Sequence, residues 1–328
     1  MMNTPAASLF PAESHSGNKL LGKLLLLCLA PLVLASCATR IRVPDDLEPE
    51  RLLPDGAMAY VRVNPSRTGE LIFPLIESYG ITQAEDLLQR TESMIIAVMP
   101  FTSATEGDPR SATTGKTRRP TIYAVVTGNF PVRSIAFRLE LDRHWTREGP
   151  GWVHKEEGFR LAFGSQGQLI LGTAPLDAIQ SAHHDGPHPV PESWSTAWDN
   201  DLAVFIPDPL ALLDTSLPFD LGGLPLESML MSIRRVDDLF DVYFGFEFAS
   251  ERSALVFAPL CRLFLYAMAR SLWPDQSSAL LAPVAWSTQG TRVGATGLRL
   301  DSTGLASMMA LPFKGTTGTN GQSPSGSR

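Results

Sequence analysis

Ala57-Met58-Ala59-Tyr60-Val61-Arg62-Val63 and Asp199-Asn200-Asp201-Leu202-Ala203-Val204-Phe205 are the two stretches whose reading decides the fold. Each is a short run of small, β-branched and aromatic residues closed by turn formers, Asn64-Pro65-Ser66 in one case and Pro207-Asp208-Pro209 in the other, and so reads as a strand leaving a turn. The order of elements downstream of the first stretch recurs, in outline, after the second.

Downstream of the first strand, Leu71 to Tyr79 reads as a helix broken at Pro74 and Thr82 to Gln89 as helical, with strands at Ser93 to Phe101 and Thr121 to Thr127. Asn129-Phe130-Pro131 opens a helix in which Val132, Ile135, Ala136 and Leu139 fall at i, i+3, i+4 and i+7, one apolar stripe for a sheet. Strands at Phe159 to Phe163 and Gln168 to Gly172 flank the hairpin signal Gly164-Ser165-Gln166-Gly167, and a short helix runs from Thr173 through Ala182. In the second round, Leu224 to Ile233 reads as helical, Arg235 to Tyr243 and Gly245 to Ala249 as a strand pair, Arg252 to Leu272 as a long helix, and Thr291 to Leu300 as a strand before a helix capped at Asp301-Ser302. The expected architecture is α+β: two similar lobes, each a mainly antiparallel sheet with helices on one face.

The chain divides accordingly. Residues 1–36 are a leader, 37–52 a charged tether, 53–182 the first lobe, 183–195 a His- and Pro-rich linker, 196–313 the second lobe, and 314–328 a Gly/Ser/Thr-rich tail expected to be disordered. Residues 102–120, within the first lobe, are Ser, Thr, Gly, Pro and charge and are expected to form a flexible loop, since they offer too little apolar surface to order themselves.

In the leader, Lys19 precedes an apolar run that begins at Leu20 and ends in Leu34-Ala35-Ser36-Cys37. The run is too short for a spanning helix and ends in small residues, as a secretory signal does. With a cysteine directly after them, this box resembles the lipobox of bacterial lipoproteins. The resemblance implies that the Cys37 thiol receives a diacylglyceryl group, that the leader is cut before it, and that the new amino terminus is acylated, giving an exported protein anchored to a bacterial membrane. Two or more acyl chains anchor stably where one binds only marginally. Cys28 lies in the leader, so only Cys261 remains in the body of the chain, and its stability must come from a packed core rather than disulfides.

The formal charge is −7, and loss of the leader, with Glu13, Lys19 and Lys23, moves it to −8. No basic stripe with interleaved aromatics occurs, which excludes a nucleic-acid partner. Catalytic motifs are equally sparse. Gly115-Lys116-Thr117 lacks the first glycine of a phosphate loop, Arg110 standing in its place, and has no flanking strand and helix. Asp237-Asp238-Leu239-Phe240-Asp241 has an aspartate spacing used for magnesium but runs into a strand, and reads as a solvated turn. His183, His184 and His188, around Asp185, are the only histidine cluster; Gly186, Pro187 and Pro189 make it a loop without the rigid helical spacing of a zinc site. Trp194 and Trp198, four apart before a strand, read as core. With no nucleophile elbow and no nucleophile–base pair, neither an enzyme nor a cofactor is expected.

Leu255 to Met268 is apolar almost throughout, with Arg252, Arg262 and Arg270 on one side of the helical wheel. It reads either as a core helix between the sheet and the other lobe, the favoured expectation, or as a helix beside a lipid pocket, with Phe257 and Phe264 as ligand contacts, or as one dipping into a membrane surface. Arg262 interrupts the run and makes it too short to span a bilayer. Three function classes remain: a non-catalytic binding or structural envelope lipoprotein, a carrier of a hydrophobic ligand, and an enzyme with no recognisable motif, with the membrane as partner through the lipid.

Overall fold

The strand at Ala59–Val63 (β1) sits at the centre of a 12-stranded sheet rather than in a separate lobe. The computed structural model describes residues 48–78, 88–100, 120–164, 167–177, 179, 188–213 and 223–309. The leader with Cys37, residues 102–119 of the expected loop, His183, His184 and the tail at 314–328 lie outside the described residues.

After β1 come helix α1 (Pro65–Ser78), β2 (Thr91–Met99), β3 (Thr121–Gly128), helix α2 (Val132–Leu141), and a meander of β4 (Trp145–Glu148), β5 (Gly151–His154), β6 (Arg160–Phe163) and β7 (Leu169–Gly172). A one-turn helix, α3 (Ser195–Trp198), leads to β8 (Leu202–Ile206). The chain continues through α4 (Pro209–Leu213), β9 (Leu226–Val236), β10 (Leu239–Phe248), α5 (Glu251–Leu272), α6 (Ser277–Leu281), β11 (Ala285–Gln289), β12 (Arg292–Leu300) and α7 (Ser302–Met309). The strand order is β11-β12-β10-β9-β8-β1-β2-β3-β7-β6-β5-β4, antiparallel throughout.

The order reads outward in the same way from its centre: β1-β2-β3-β7-β6 on one side, β8-β9-β10-β12-β11 on the other. In each half a helix leaves the third strand and the chain returns to pair with that strand. The two sheets expected from the sequence are joined edge to edge by β1 and β8, with Tyr60 opposite Phe205 and Val63 opposite Leu202. This junction removes two exposed strand edges, each a row of unpaired backbone groups.

Side-chain alternation splits the interior into two cores on opposite faces. Tyr60, Ile95, Val125, Ile170, Phe205 and Leu230 face one side, where they meet Leu52, Leu53, Val190, Trp194 and Trp198. On the other side Phe240, Val242, Phe244, Phe246 and Phe248, every second residue of β10, pack with Leu71 and Ile72 of α1, the inner stripe of α5, and Leu305 and Met308 of α7. Helix α1 of the first half and helices α5 and α7 of the second therefore cover one face, and irregular segments meet the other.

Several expectations need correction. Leu224 to Ile233 is not helical; Leu226–Val236 is the longest strand, because its Leu, Met and Ser residues alternate between the two cores when it is clamped between β8 and β10. The expected pair Arg235 to Tyr243 and Gly245 to Ala249 is divided otherwise: Arg235 and Val236 end β9, the turn is Asp237-Asp238, where Asp237 takes φ 55°, and Leu239–Phe248 is one strand, β10. The α1 backbone runs through Pro74 without a break, starting at Pro65, whose missing N–H costs nothing in a first turn. The strands β4 and β5 have no counterpart among the elements expected from the sequence.

The ends of the expected tether and linker are structural as well. Pro49–Leu52 forms a 3-10 turn that buries Glu50 and Leu52. In the linker, Glu192–Trp194 forms another 3-10 turn, and Val190 and Trp194 are core residues.

Candidate membrane-facing site

Helix α5 begins at Ser250, whose hydroxyl accepts from the Ser253 N–H at 3.1 Å, and its first turn carries Glu251, as the helix dipole favours. Its inner stripe is made of small residues: Ala254, Ala258, Cys261 and Ala269, with Leu265 the one large member. Small side chains let the helix lie close to the β10 phenylalanine row. Phe257 stacks on Phe248, with ring centroids 6.1 Å apart, and Phe264 meets Phe246 edge-on at 6.2 Å.

The consequence is that the large apolar residues point outward. Leu255 and Val256 are 61% exposed, Leu263 60%, and Leu260, Phe264 and Tyr266 are exposed as well. The favoured expectation of a core helix is thus half right: one stripe is core, and the opposite face is an apolar surface in water. Scattered exposed apolar residues are ordinary, but a contiguous set on one helix face marks an interaction surface. Arg252 and Arg270, 18 residues apart, share one azimuth and lie about 27 Å from each other along the axis, bracketing this face. Arg262 is drawn aside, its guanidinium 5.7 Å from the centre of the Trp286 ring on β11.

By length and composition this 22-residue helix could cross a bilayer, contrary to the expectation that it is too short. Its inner stripe is instead packed along the sheet, which leaves only the outer face for lipid. Helix α2 holds the equivalent place after β3, and it also presents large apolar residues, Phe137 and Leu141, the latter 71% exposed, beside the exposed Arg133 and Arg138.

Of the two pocket candidates, Phe257 is partly buried against the sheet and Phe264 is exposed over it. Among the described residues, clefts occur beside Pro65, Phe73 and Leu88 and between the Pro49–Leu52 turn and residues 188–199; neither of these is lined by α5. His188 Nδ1 lies 2.6 Å from the Val190 carbonyl oxygen, a local contact that shapes the linker. Among the described residues no three His, Cys, Asp or Glu side chains converge as metal ligands. Asp241 is paired with Arg299 at 2.9 Å and Arg234 at 3.8 Å, and so belongs to the strand surface. Cys261 is a buried free thiol, and burial pushes its pKa up to about 11.

The outward apolar face of α5 is hidden in the sequence because apolar residues occur all round that helix. A usable signal is present nonetheless: the stripe Ala254, Ala258, Cys261, Leu265 and Ala269, at spacings of four, three, four and four and small at all but one position, marks the side that can approach a sheet closely.

No protein-family model and no curated protein matches this chain. Its fold is similar to that of solved structures of TP0453. Crystal form III aligns with a TM-score of 0.55 at 12% identity over 82% of this chain and 100% of that one. Crystal form I aligns at 0.53 with 14% identity over 81% and 98%, and crystal form IV at 0.52 with 13% identity over 81% and 97%. At these identities the similarity is one of fold, and that α+β fold spans the whole of the TP0453 chain in crystal form III.

Proposed function

We propose that this chain is a non-catalytic, lipid-anchored protein of a bacterial envelope, acylated at Cys37 and seated on its membrane through the outer face of α5. The observation that carries this reading is the exposed row Leu255, Val256, Leu260, Leu263 and Phe264, bracketed by Arg252 and Arg270. Apolar side chains with arginines at the polar margin suit the boundary between acyl chains and anionic headgroups. Each such side chain transferred fully out of water contributes about 1.5 to 3 kcal/mol, so a few of them, added to the anchor, would fix the orientation of the body on the membrane.

The test is flotation of a chain starting at Ala38, which lacks the lipid, with vesicles containing phosphatidylglycerol. Co-flotation of the parent, with loss of co-flotation in Leu260→Asp and Leu263→Asp variants that melt normally, is the expected result. A parent that stays at the bottom of the gradient would overturn the seating of α5. The carrier reading would require instead that purified protein bring a lipid with it in stoichiometric amount.

A further inference from the structure

The sheet ends differently at its two edges. At one, β4 carries Arg147 and Glu148, and its Trp145 N–H already donates to the Asp142 carbonyl at 3.1 Å. At the other, β11 is Ala285-Trp286-Ser287-Thr288-Gln289, with no charged residue and no proline, the devices that keep an edge from pairing.

The register shows which groups β11 offers. The Gly290-Thr291 turn sets Gln289 opposite Arg292, so Gln289, Ser287 and Ala285 exchange backbone hydrogen bonds with β12. Trp286 and Thr288, between them, turn N–H and C=O outward, and among the described residues these four groups have no partner. Ala285, Ser287, Thr288 and Gln289 are all exposed, which leaves the edge open to a neighbour.

The fold also shows what such an edge takes. By its place in the strand order β11 corresponds to β6 of the first half, and β6 is covered on its outer side by an antiparallel strand, β5, with Gly151 opposite Ala162 and Val153 opposite Arg160. In the strand order nothing stands in that place beside β11. The pattern on β11 is, moreover, its own complement. With Ser287 facing the second copy's Ser287, Trp286 and Thr288 meet the second copy's Thr288 and Trp286, closing four backbone hydrogen bonds about a two-fold axis. That axis runs normal to the sheet, so both copies keep the outer face of α5 on the same side, as two chains held on one membrane must. Only this last point rests on the membrane reading.

We propose that β11 pairs with β11 of a second copy of this chain, antiparallel about Ser287, to make one continuous sheet across a symmetric dimer.

Disulfide trapping tests it. Residues that face each other in an antiparallel pair without exchanging hydrogen bonds have Cα atoms about 4.5 Å apart, within disulfide reach. The full chain with Ser287→Cys, purified in detergent and oxidised with copper–phenanthroline, should move to twice the monomer mass on a non-reducing gel, above a background set by the parent's own cysteines. Gln289→Cys alone should stay at that background, because its two copies lie about 14 Å apart along the strands. Mixed with a chain carrying Ala285→Cys, which faces it across the axis, it should cross-link. Thr288→Pro, added to Ser287→Cys, removes an outward N–H that β12 does not use and should cut cross-linking at least fivefold. Cross-linking of Ser287→Cys at the parent level, equal cross-linking of Gln289→Cys alone, as parallel pairing or random collision would give, or cross-linking untouched by Thr288→Pro would each overturn the proposal. The trapping uses neither α5 nor Cys37, so a chain that fails to float with vesicles can still form the dimer, and a chain that floats can fail to.

Discussion

A β-carbon on Gly245 would lie 2.3 Å from the indole ring of Trp194. The bare backbone of β10 is thus the seat on which the linker's tryptophan packs, and Arg292 completes it. That guanidinium is 4.3 Å from the centre of the Trp194 ring, is held by Glu247 at 2.8 Å, and donates to the Ser193 carbonyl at 2.7 Å. Trp194 therefore locks the segment between the two halves of the sheet onto the second half.

Gly245→Ala should be destabilising, because the added methyl meets the body of a buried ring and not a flexible chain end. Overpacking of this kind costs about 1 to 3 kcal/mol, which urea melts monitored by tryptophan fluorescence would resolve. A variant as stable as the parent would show that the Trp194 segment is not clamped on β10.

The arginines of α5 make a separate expectation about charge. Each basic group near an anionic surface contributes about 1 kcal/mol, so Arg252→Gln and Arg270→Gln should each weaken binding of the unlipidated chain to phosphatidylglycerol vesicles about fivefold. Binding to uncharged phosphatidylcholine vesicles should be unaffected. An equal loss on both vesicle types would mean that the arginines act by packing and not by charge.

Truncating the two phenylalanines of α5 should separate core from surface. Phe257, partly buried and stacked on Phe248, should cost about 2 to 3 kcal/mol on replacement by alanine, somewhat below the value for a fully buried ring. Phe264, 39% exposed, should cost no more than about half of that. Thermal or urea melts of the two variants decide the order, and a reversed order would place the helix the other way round.

Cys261 supplies a probe of opening. With its pKa raised by burial to about 11, the thiol stays protonated and inaccessible in the folded protein at pH 8 and should react with a maleimide only as fast as the helix opens, reaching full reactivity in denaturant. Below about pH 9 the thiol is neutral in both states and stability does not depend on it; between about 9 and 11 the unfolded chain ionises and the folded one does not, so stability falls as pH rises through that window. Fast labelling of the native protein would show that α5 is not docked on the sheet.

Cys37→Ala should abolish metabolic labelling with palmitate and leave the leader attached, since the thiol is the proposed acyl acceptor. Gel mobility and radiolabel measure both, and labelling at the parent level would remove the lipoprotein reading.

Local pattern is enough for β1, β3, the β6–β7 hairpin at Gly164 and Gly167, and the two helices α2 and α5, because a 2.0 or 3.6 period and a turn residue are properties of neighbours in the chain. The alternation of Phe240, Val242, Phe244, Phe246 and Phe248 marks a strand whatever lies around it. Of the cleft beside the Pro49–Leu52 turn, only His188 and Trp198 stand out in the sequence, one as a linker residue and the other as core. Glu48 to Arg51 and Asp199 come from segments far apart in sequence, and no spacing rule links them to Ser93 and Thr127.

The sequence alone determined the α+β class and the repeated order of elements, both written in short-range periodicity and residue type, and it carries the lipobox resemblance on which the proposal for Cys37 rests. Tertiary structure decided the rest. Leu226–Val236, rich in helix formers, became a strand because pairing with β8 and β10 satisfies its backbone and buries both of its faces. Two expected lobes became one sheet because pairing β1 with β8 closes an open edge on each half. In α5, apolar on every side, the face that reaches water was chosen by steric fit: Ala254, Ala258, Cys261 and Ala269 can approach the phenylalanines of β10 closely, and the bulk of Leu255, Val256 and Leu263 was left outside.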